Sequence, residues 1–546
     1  MERYMRHIIY STEQRVEHFL KTQVTDEKSP FYGGMKQTIL DGKPTVFAMA
    51  DAAAVYLNPN SKFYRDDTLL RAMDLGISFI QRCQREDGSF DYPSCNFRSA
   101  PDTAFCFERL IETYRLFQKY ATKTELTVLK AKYAAVLKAT FPIFLNGGFH
   151  TPNHRWAITA ALYQGAGMIE GQDFQMAKRM LARAGDYLKE GIDGNEDGEY
   201  AERSTGNYNA VVNSSMITLY EETGDLSYLG YVERNLRMML FYIDPDDTIF
   251  TQNSTRQDRG KDIYADQYFY QYLYMADKTG NEIFDKAAHK IIKDNMERGE
   301  IAPDCLPGLM LRKSMISYTF NGYGFMETYH KYFSDSGVLR VCTPNFGYSI
   351  LKGNSTFLYM KFHKVPIWMK IGESYCDIRN FIPETFEETQ EGYIMTAKAQ
   401  GWYYLPLDEK PDTSDWWKMD HSKRNRLISS SMEISVRVKE EQDGLYITVK
   451  SLGLDGLPLR VELGLPIDCI LENESFYMKT KKGEGLILRK GIVYLHCEDE
   501  TIAIGPGYGT HEFEGHYSGE ERNSEGFTLS FNDYTPYERT FSIRRI

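Results

Sequence analysis

The chain has 546 residues, with 64 Lys and Arg against 76 Asp and Glu, a formal net charge of −12, and 42% hydrophobic and 26% charged residues. That composition excludes a disordered or low-complexity chain, and the acidic balance excludes a bulk nucleic-acid binder. No apolar run approaches the roughly 20 residues that cross a bilayer, so no membrane partner is expected, and the length exceeds what one core usually serves.

The N-terminal segment Met1–Gln23 lacks the apolar core of a secretory signal and reads as an amphipathic helix. Eight cysteines are scattered singly, with no C-x-x-C pair. That spacing argues against a zinc ribbon or a disulfide framework, and reduced thiols are what a cytoplasmic protein carries. A cytoplasmic location is therefore expected.

The first 335 residues read as helix after helix. Leu126, Leu129, Tyr133, Val136 and Leu137 follow helical spacing, as do Ala177, Met180, Leu181, Ala184 and Leu188, and then Val212, Met216, Leu219 and Tyr220. Further helices are expected near 4–21, 46–57, 67–84, 102–119, 155–169, 226–243, 264–278, 281–297 and 320–333. Gly, Asp and Asn dominate the connections, and no fixed repeat period appears. About a dozen helices taken in pairs predict an (α/α) toroid over residues 1–335.

The texture changes at Ser334-Asp335-Ser336-Gly337, a linker signature. Beyond it, Met432, Ile434, Val436 and Val438 alternate with polar residues, and Leu445, Ile447 and Val449 repeat the alternation across Asp443-Gly444. This is a hairpin pattern. Leu486–Leu488 and Ile492–Leu495, joined by Lys490-Gly491, read as a second hairpin. Residues 336–546 are expected to form an antiparallel β-sandwich, giving an α+β multidomain chain.

Aromatic content is high at 14%, with 39 Tyr. Tyr offers an apolar face and a polar tip, which suits a sugar groove, although most should fill helix–helix packing. Polar residues gather in four places. In 146–156, NGGFHTPNHRW, Pro and Gly break the helix, and Asn153, His154 and Arg155 follow. Asn153 fits either a helix cap or a site residue. In 193–209, Asp193, Asn195, Asp197 and Gly198 match the start of a calcium loop, but Ser204 stands at its twelfth position, so a turn fits better. The second half of that string places Tyr200, Glu202, Arg203, Asn207 and Tyr208 before a helix. In 252–259, Asn253 and Arg256 lie in another inter-helix loop. Loops joining successive hairpins of a toroid gather at one rim, so these strings should share a site. Asp102, ahead of a further helix, is a cap or a substrate contact. His363, inside the apolar run Phe357–Ile371, is more often structural than catalytic.

Helices to about 330, strands afterwards, and Asn153-His154 followed by Gly206-Asn207-Tyr208 resemble the two-domain polysaccharide lyases of the heparinase II/III, alginate lyase and hyaluronate lyase type. The resemblance implies a lyase that cleaves uronic-acid-containing oligo- or polysaccharides by β-elimination, with no cofactor. It implies that Asn153 and His154 neutralise the substrate carboxylate, that Tyr208 or its rival Tyr200 is the base and acid, and that His363 is the candidate contribution from the sandwich. Arg155, Glu202, Arg203, Asn207, Asn253, Arg256 and Asp102 would contact substrate. The alginate-lyase pattern often has Gly where this chain has Arg155, so the resemblance names no particular glycan. The physical need agrees. A proton next to an ionised carboxylate is acidic enough only if donors tolerate the enolate-like charge, and a Tyr can take it where cations such as Arg203 stand near. A glycoside hydrolase would instead require two free carboxylates, with Asp102, Glu199, Glu202 and Asp258 the candidates. A non-catalytic sugar-binding protein would use the same aromatics and arginines without turnover.

Overall fold

The computed structural model describes residues 1–120, 126–244, 246–512 and 523–546. They fall into two compact units, Met1–Ile243 with Asp247–Met326, and Asp244–Asp246 with Glu327–Ile546. The division lies at Met326/Glu327, and Ser334–Gly337 is a turn between the strands Tyr329–Phe333 and Val338–Cys342.

The first unit is helical. Its helices are α1 Glu2–Thr22, α2 Lys43–Leu57, α3 Asp67–Cys83, α4 Ala100–Tyr120, α5 Thr127–Ala139, α6 Phe141–Asn146 and α7 Pro152–Ile169. They continue as α8 Phe174–Leu188, α9 Tyr208–Thr223, α10 Ser227–Tyr242, α11 Phe269–Thr279, α12 Glu282–Glu297, α13 Leu306–Leu311 and α14 Lys313–Ile316. Neighbouring pairs α2–α4, α4–α7, α7–α9 and α9–α11 make an inner row, and α3, α5, α8, α10 and α12 pack outside them. The first helix touches both α2 and α12, which closes the ring of an (α/α) toroid.

Sequence pattern decides which helix goes where. In α7 the run Trp156–Leu162 is buried without a break, and in α2 so is Met49–Leu57. A helix apolar on every side must be surrounded by others. By contrast α8 buries a single stripe, Ala177, Met180, Ala184 and Tyr187. Leu181, expected in that stripe, is exposed, and Tyr187 takes the place foreseen for Leu188. Caps set the ends. Asp66 accepts the Leu69 N–H at 2.7 Å, Asp173 accepts the Met176 N–H at 3.0 Å, and Gly224 ends α9 in the left-handed region at φ +75°. Among the described residues no helix is long and apolar enough to cross a membrane.

One sequence expectation fails around this junction, and two short helices went unforeseen. Residues 320–333 form no helix. Gly322 and Gly324 interrupt any helical run, and Tyr329–Phe333 pairs as a strand with Val338–Cys342. The short α13 and α14 have too few residues to show a period.

The second unit is a two-sheet β-sandwich, antiparallel except for Gly485–Ile487, which pairs in parallel with Phe527–Tyr534. One sheet runs from Phe476–Lys479 through Gly444–Leu452 and Arg426–Glu441 to Thr385–Thr389. The other runs from Gly485–Ile487 through Phe527–Tyr534, Pro458–Leu465 and Val365–Tyr375 to Tyr329–Phe333. The hairpin at 426–452 has the expected alternation, with Met432, Ile434, Val436 and Val438 buried opposite Leu445, Ile447 and Val449. The second expected hairpin does not form. Gly485–Ile487 pairs with Phe527–Tyr534 in one sheet, whereas Val493–Cys497 joins the other, so Lys490-Gly491 carries the chain between sheets. Leu488 is buried at this crossing, and apolar alternation alone does not say which sheet a strand joins.

Cys469 and Cys497 form a disulfide, which corrects the expectation of unpaired thiols throughout. The register Ile470↔His496 brings the residue before one strand opposite the end of the other. A sequence separation of 28 hides that proximity. The other six cysteines are free.

Glu373 sits in the strand Val365–Tyr375 at 4% exposure, and its Oε2 has no hydrogen-bond partner. Burial pushes its carboxyl up to about 7. The folded chain therefore keeps a proton that the unfolded chain releases above its ordinary carboxylate range. Stability is full below that range and is lost as pH rises towards 7. Glu373→Gln should remove this slope and leave the variant more stable than the parent above neutrality by about 2 kcal/mol. Urea unfolding of both proteins across pH 5–8 checks it, and parallel curves would refute it.

Candidate functional site

Three polar loops of the first unit meet around buried carboxylates. Pro152, Asn153 and His154 form the first turn of α7, where the His154 N–H reaches the Thr151 carbonyl and the Asn153 N–H has no partner within the helix. Glu202, from the loop before α9, supplies one. Its Oε2 accepts the Asn153 N–H at 2.9 Å and the Asn153 Nδ2–H at 2.5 Å. A carboxylate at a helix N-terminus also meets the positive end of the helix dipole. The other oxygen of Glu202 lies 3.3 Å from Arg256 Nε, from the loop before α11. Glu202 is 5% exposed, so helix, carboxylate and guanidinium are matched largely out of water.

Glu199 and Asp258 repeat the arrangement. Glu199 accepts Asn253 Nδ2 at 2.7 Å and stands 3.5 Å from Arg203 Nε. Asp258 accepts Ser204 Oγ at 2.9 Å, Ser254 Oγ at 2.6 Å and the Gly206 N–H at 2.9 Å. Gly206 is the residue this close approach requires. A Cβ there would lie 2.8 Å from Ile263 Cδ1 and 3.0 Å from Asp258 Oδ2. The loop that delivers Tyr208 is thereby fixed at its base, with the Tyr208 N–H held by Ser204 Oγ at 3.0 Å.

Tyr208 begins α9 and is half-buried. Its hydroxyl is 3.4 Å from Gln257 Oε1, and the Arg256 guanidinium stands 5.2 Å from its ring. The cation beside Tyr208 is thus Arg256. Arg203, expected in that role, faces Glu199 instead. Tyr200 is 4% exposed and donates to Asn213 Oδ1 at 2.9 Å, inside the helix packing. Burial pushes its phenol above the ordinary tyrosine value, which favours the neutral form.

His154 lies 4.7 Å from the His150 ring and 5.8 Å from the Phe105 ring, both edge-on. Burial lowers its pKa to about 4, with His150, Arg256 and Lys43 acting in the same direction and Asp102 against them. At neutral pH His154 is uncharged, so it offers one N–H donor and no cation. Several buried polar atoms here have no hydrogen-bond partner: Asn153 Oδ1, His154 Nδ1, Asn253 Oδ1 and both amide atoms of Asn209. Unsatisfied buried polar groups are costly, so their concentration here singles out this cluster as the candidate site.

Other sequence candidates have structural work. Arg155 is buried, bonded to Glu190 at 3.1 Å and the Gly191 carbonyl at 2.9 Å, and stacked 4.0 Å from the Trp156 ring. Its guanidinium is therefore taken up by protein partners. Asp102 occupies the first turn of α4, takes Ser99 Oγ at 2.6 Å and pairs with Lys43 at 3.4 Å. Asn207 is exposed at the start of α9 and makes no side-chain cap bond. The Asp193–Gly198 string is a hairpin, with the Glu199 N–H on Asn195 Oδ1 at 2.8 Å and Asp193 taking Trp156 Nε1 at 2.5 Å. Among the described residues no group of three or more His, Cys, Asp or Glu is placed to hold a metal ion. His363 belongs to the second unit. It sits in the two-residue turn after Thr356–Phe362, is 60% exposed at its side chain, and has Nδ1 2.5 Å from Glu500 Oε1.

Residues absent from the sequence reading of the site also appear. His150, Asn209 and Gln257 lie inside the polar strings, but spacing gave them no role. Lys43 and Phe105 come from α2 and α4 and carry no local signal at all. Only the packing of those helices against each other brings them near.

With this geometry in place, comparison with solved structures is informative. A heparinase III superposes with a TM-score of 0.55 at 10% identity, covering 98% of this chain and 84% of that one. The heparan sulfate lyase HepC of Pedobacter heparinus, as a mutant, gives 0.54 at 13% identity over 98% and 82%. The chain shares its fold with solved polysaccharide lyases. The chondroitin AC lyase of Streptomyces coelicolor A3, solved with chondroitin sulphate, gives 0.54 at 10% identity over 100% and 80%. No family model and no curated protein matches the sequence.

Glu202→Ala would leave two Asn153 donors and Arg256 unmatched in a buried position. It should destabilise the first unit by about 3–5 kcal/mol, the usual cost of breaking a buried charge pair. Denaturant unfolding measures this, and a loss below 1 kcal/mol would show that the carboxylate does not hold the loops together.

Proposed function

We propose that the protein is a lyase that cleaves uronic-acid-containing oligo- or polysaccharides by β-elimination. The observation that carries the proposal is the half-open Tyr208 with the Arg256 guanidinium 5.2 Å from its ring, in the loop cluster that also holds neutral His154 and the Glu202-bound amide of Asn153. The shared lyase fold supports it.

The chemistry follows from what each group can do. The amide of Asn153 gives one Nδ2–H to Glu202 and has a second, only 3.3 Å from Thr151 Oγ1, to offer, and neutral His154 carries one N–H. Both serve as donors to the uronate carboxylate, so the charge that develops on it as the α-proton leaves is held by hydrogen bonds. Tyr208 takes that proton from C5, with the Arg256 guanidinium stabilising negative charge on the phenol. The C5–H electrons form the C4=C5 double bond, and the C4–O4 bond breaks. The same Tyr208 returns the proton to the departing O4, so the enzyme ends in its starting state.

A hydrolase reading loses support from the same structure. Asp102, Glu199, Glu202 and Asp258 are 6%, 3%, 5% and 5% exposed, and all are engaged by protein donors. None stands free to act as the acid or base that glycoside hydrolysis requires. Tyr208→Phe should therefore lower turnover by at least a hundredfold, within the range of acid–base catalysis. The assay is ultraviolet absorbance of the new C=C bond, run over a panel of uronate polymers and oligomers. Reducing sugar released without that absorbance, or full activity in Tyr208→Phe, would overturn the lyase.

The ionisation of His154 gives an independent check. Its low pKa comes from burial and nearby cations, so a bound carboxylate should raise it from about 4 towards neutrality. NMR titration of the ring with and without a uronate oligosaccharide, in Tyr208→Phe, reads the shift. An unchanged titration would remove His154 from the carboxylate site.

A further inference from the structure

The second unit carries an exposed aromatic strip that plays no part in the site above. Trp402, Tyr403 and Tyr404 end the strand Gly392–Tyr404, and Trp416 and Trp417 lie in the loop that leads to Arg426–Glu441. Trp417 is 90% exposed, Trp416 57% and Tyr404 45%, while Tyr403 points to the opposite face of the strand from Trp402 and Tyr404. Tryptophan is highly buried on average, and single exposed apolar residues need no explanation, but a run of them marks a binding surface.

The loop is built to present these rings. At its stem the Leu405 N–H meets the Asn425 carbonyl at 2.9 Å, and Asn425 Nδ2 bonds Asp408 at 2.8 Å. Asp415 accepts the Trp417 N–H at 3.1 Å and Asp420 accepts the Ser422 N–H at 3.2 Å, fixing two short helical turns. Arg424 Nε donates to His421 Nδ1 at 3.2 Å, so the His421 proton is on Nε2, which donates to the Trp416 carbonyl at 2.8 Å. The His421 and Trp416 rings are 4.1 Å apart. One indole is braced and its neighbour is left to solvent.

Charge narrows the occupant. Asp415 and Asp420 are already paired, with Lys418 at 3.1 Å and Lys423 at 3.9 Å. Arg424 stands 5.2 Å from the Trp416 ring, and Arg426 4.4 Å from Trp402 and 5.2 Å from Tyr404. Among the described residues neither arginine is given a carboxylate; their bonds go to His421, Met419 and Tyr404. An acidic polysaccharide brings both a C–H face for each ring and an anion for each guanidinium.

We propose that this strip binds an acidic polysaccharide chain, with sugar rings on Trp416 and Trp417 and anionic groups on Arg424 and Arg426. It is a binding surface beyond the catalytic site, and it stands without the roles given to Asn153, His154 and Tyr208. The test is affinity electrophoresis of the full chain, in a Tyr208→Phe background, through gels containing chondroitin sulfate, alginate or neutral dextran. An acidic polymer should retard the protein and dextran should not. Trp416→Ala with Trp417→Ala should weaken retardation at least fivefold, and Arg424→Gln with Arg426→Gln should do so at low salt. Circular dichroism confirms that each variant is folded. Retardation unchanged in the Trp variant, equal retardation by dextran, no retardation by any acidic polymer, or a dimer that dissociates in the Trp variant would each overturn the proposal. Unsaturated product is scored separately with Tyr208 intact, so failure of the lyase reading leaves the binding result distinct.

Discussion

A carboxylate removed from water must be met by donors, and in the first unit three such groups take their donors from different loops. Glu202 binds the first turn of α7 and reaches Arg256, Glu199 binds Asn253, and Asp258 binds Ser204, Ser254 and Gly206. The requirement acts across long sequence separations. It fixes Asn153, Tyr208 and Arg256 relative to one another more firmly than the turn geometry of any single loop could. The toroid supplies the setting, because its inner helices all begin or end near these loops.

This arrangement explains a division of labour among residues of the same type. Arg155 and Arg256 are near each other in chemistry but not in role. Arg155 is consumed by Glu190, Gly191 and the Trp156 ring, whereas Arg256 pairs with Glu202 and still stands over the Tyr208 ring. Tyr200 and Tyr208 divide in the same way, one sealed against Asn213 and the other half-open. Several of the abundant tyrosines are internal struts. The hydroxyls of Tyr268 and Tyr272 bond the Thr205 and Leu236 carbonyls from full burial.

The fold was largely legible in the sequence because apolar period is a local property. The stripe of α5 and the alternation of 432–438 could be read directly, and the toroid-then-sandwich order with them. What failed was what period does not encode. The strand at Tyr329–Phe333 has apolar residues that also fit a helix, and only its pairing with Val338–Cys342 decides. Leu486 and Leu495 alternate correctly yet enter different sheets. At the site, the strings around Asn153, Glu202 and Asn253 stood out because polar density in an inter-helix loop is visible. The partner of each carboxylate was not visible, since it depends on which loop lies opposite. Arg203 next to Tyr208 in sequence was the natural guess, and Arg256, 48 positions further on, is the residue that arrives.

The Glu202 bracket also bears on how such a protein can change. A loop transplanted from a relative with its tyrosine but without its acid would leave the start of α7 with two unanswered N–H groups. A transplanted α7 would in turn strand the acid. The loops therefore have to be exchanged as a set, and substitutions are tolerated most freely at positions outside the bracket, such as exposed His150 and Asn207.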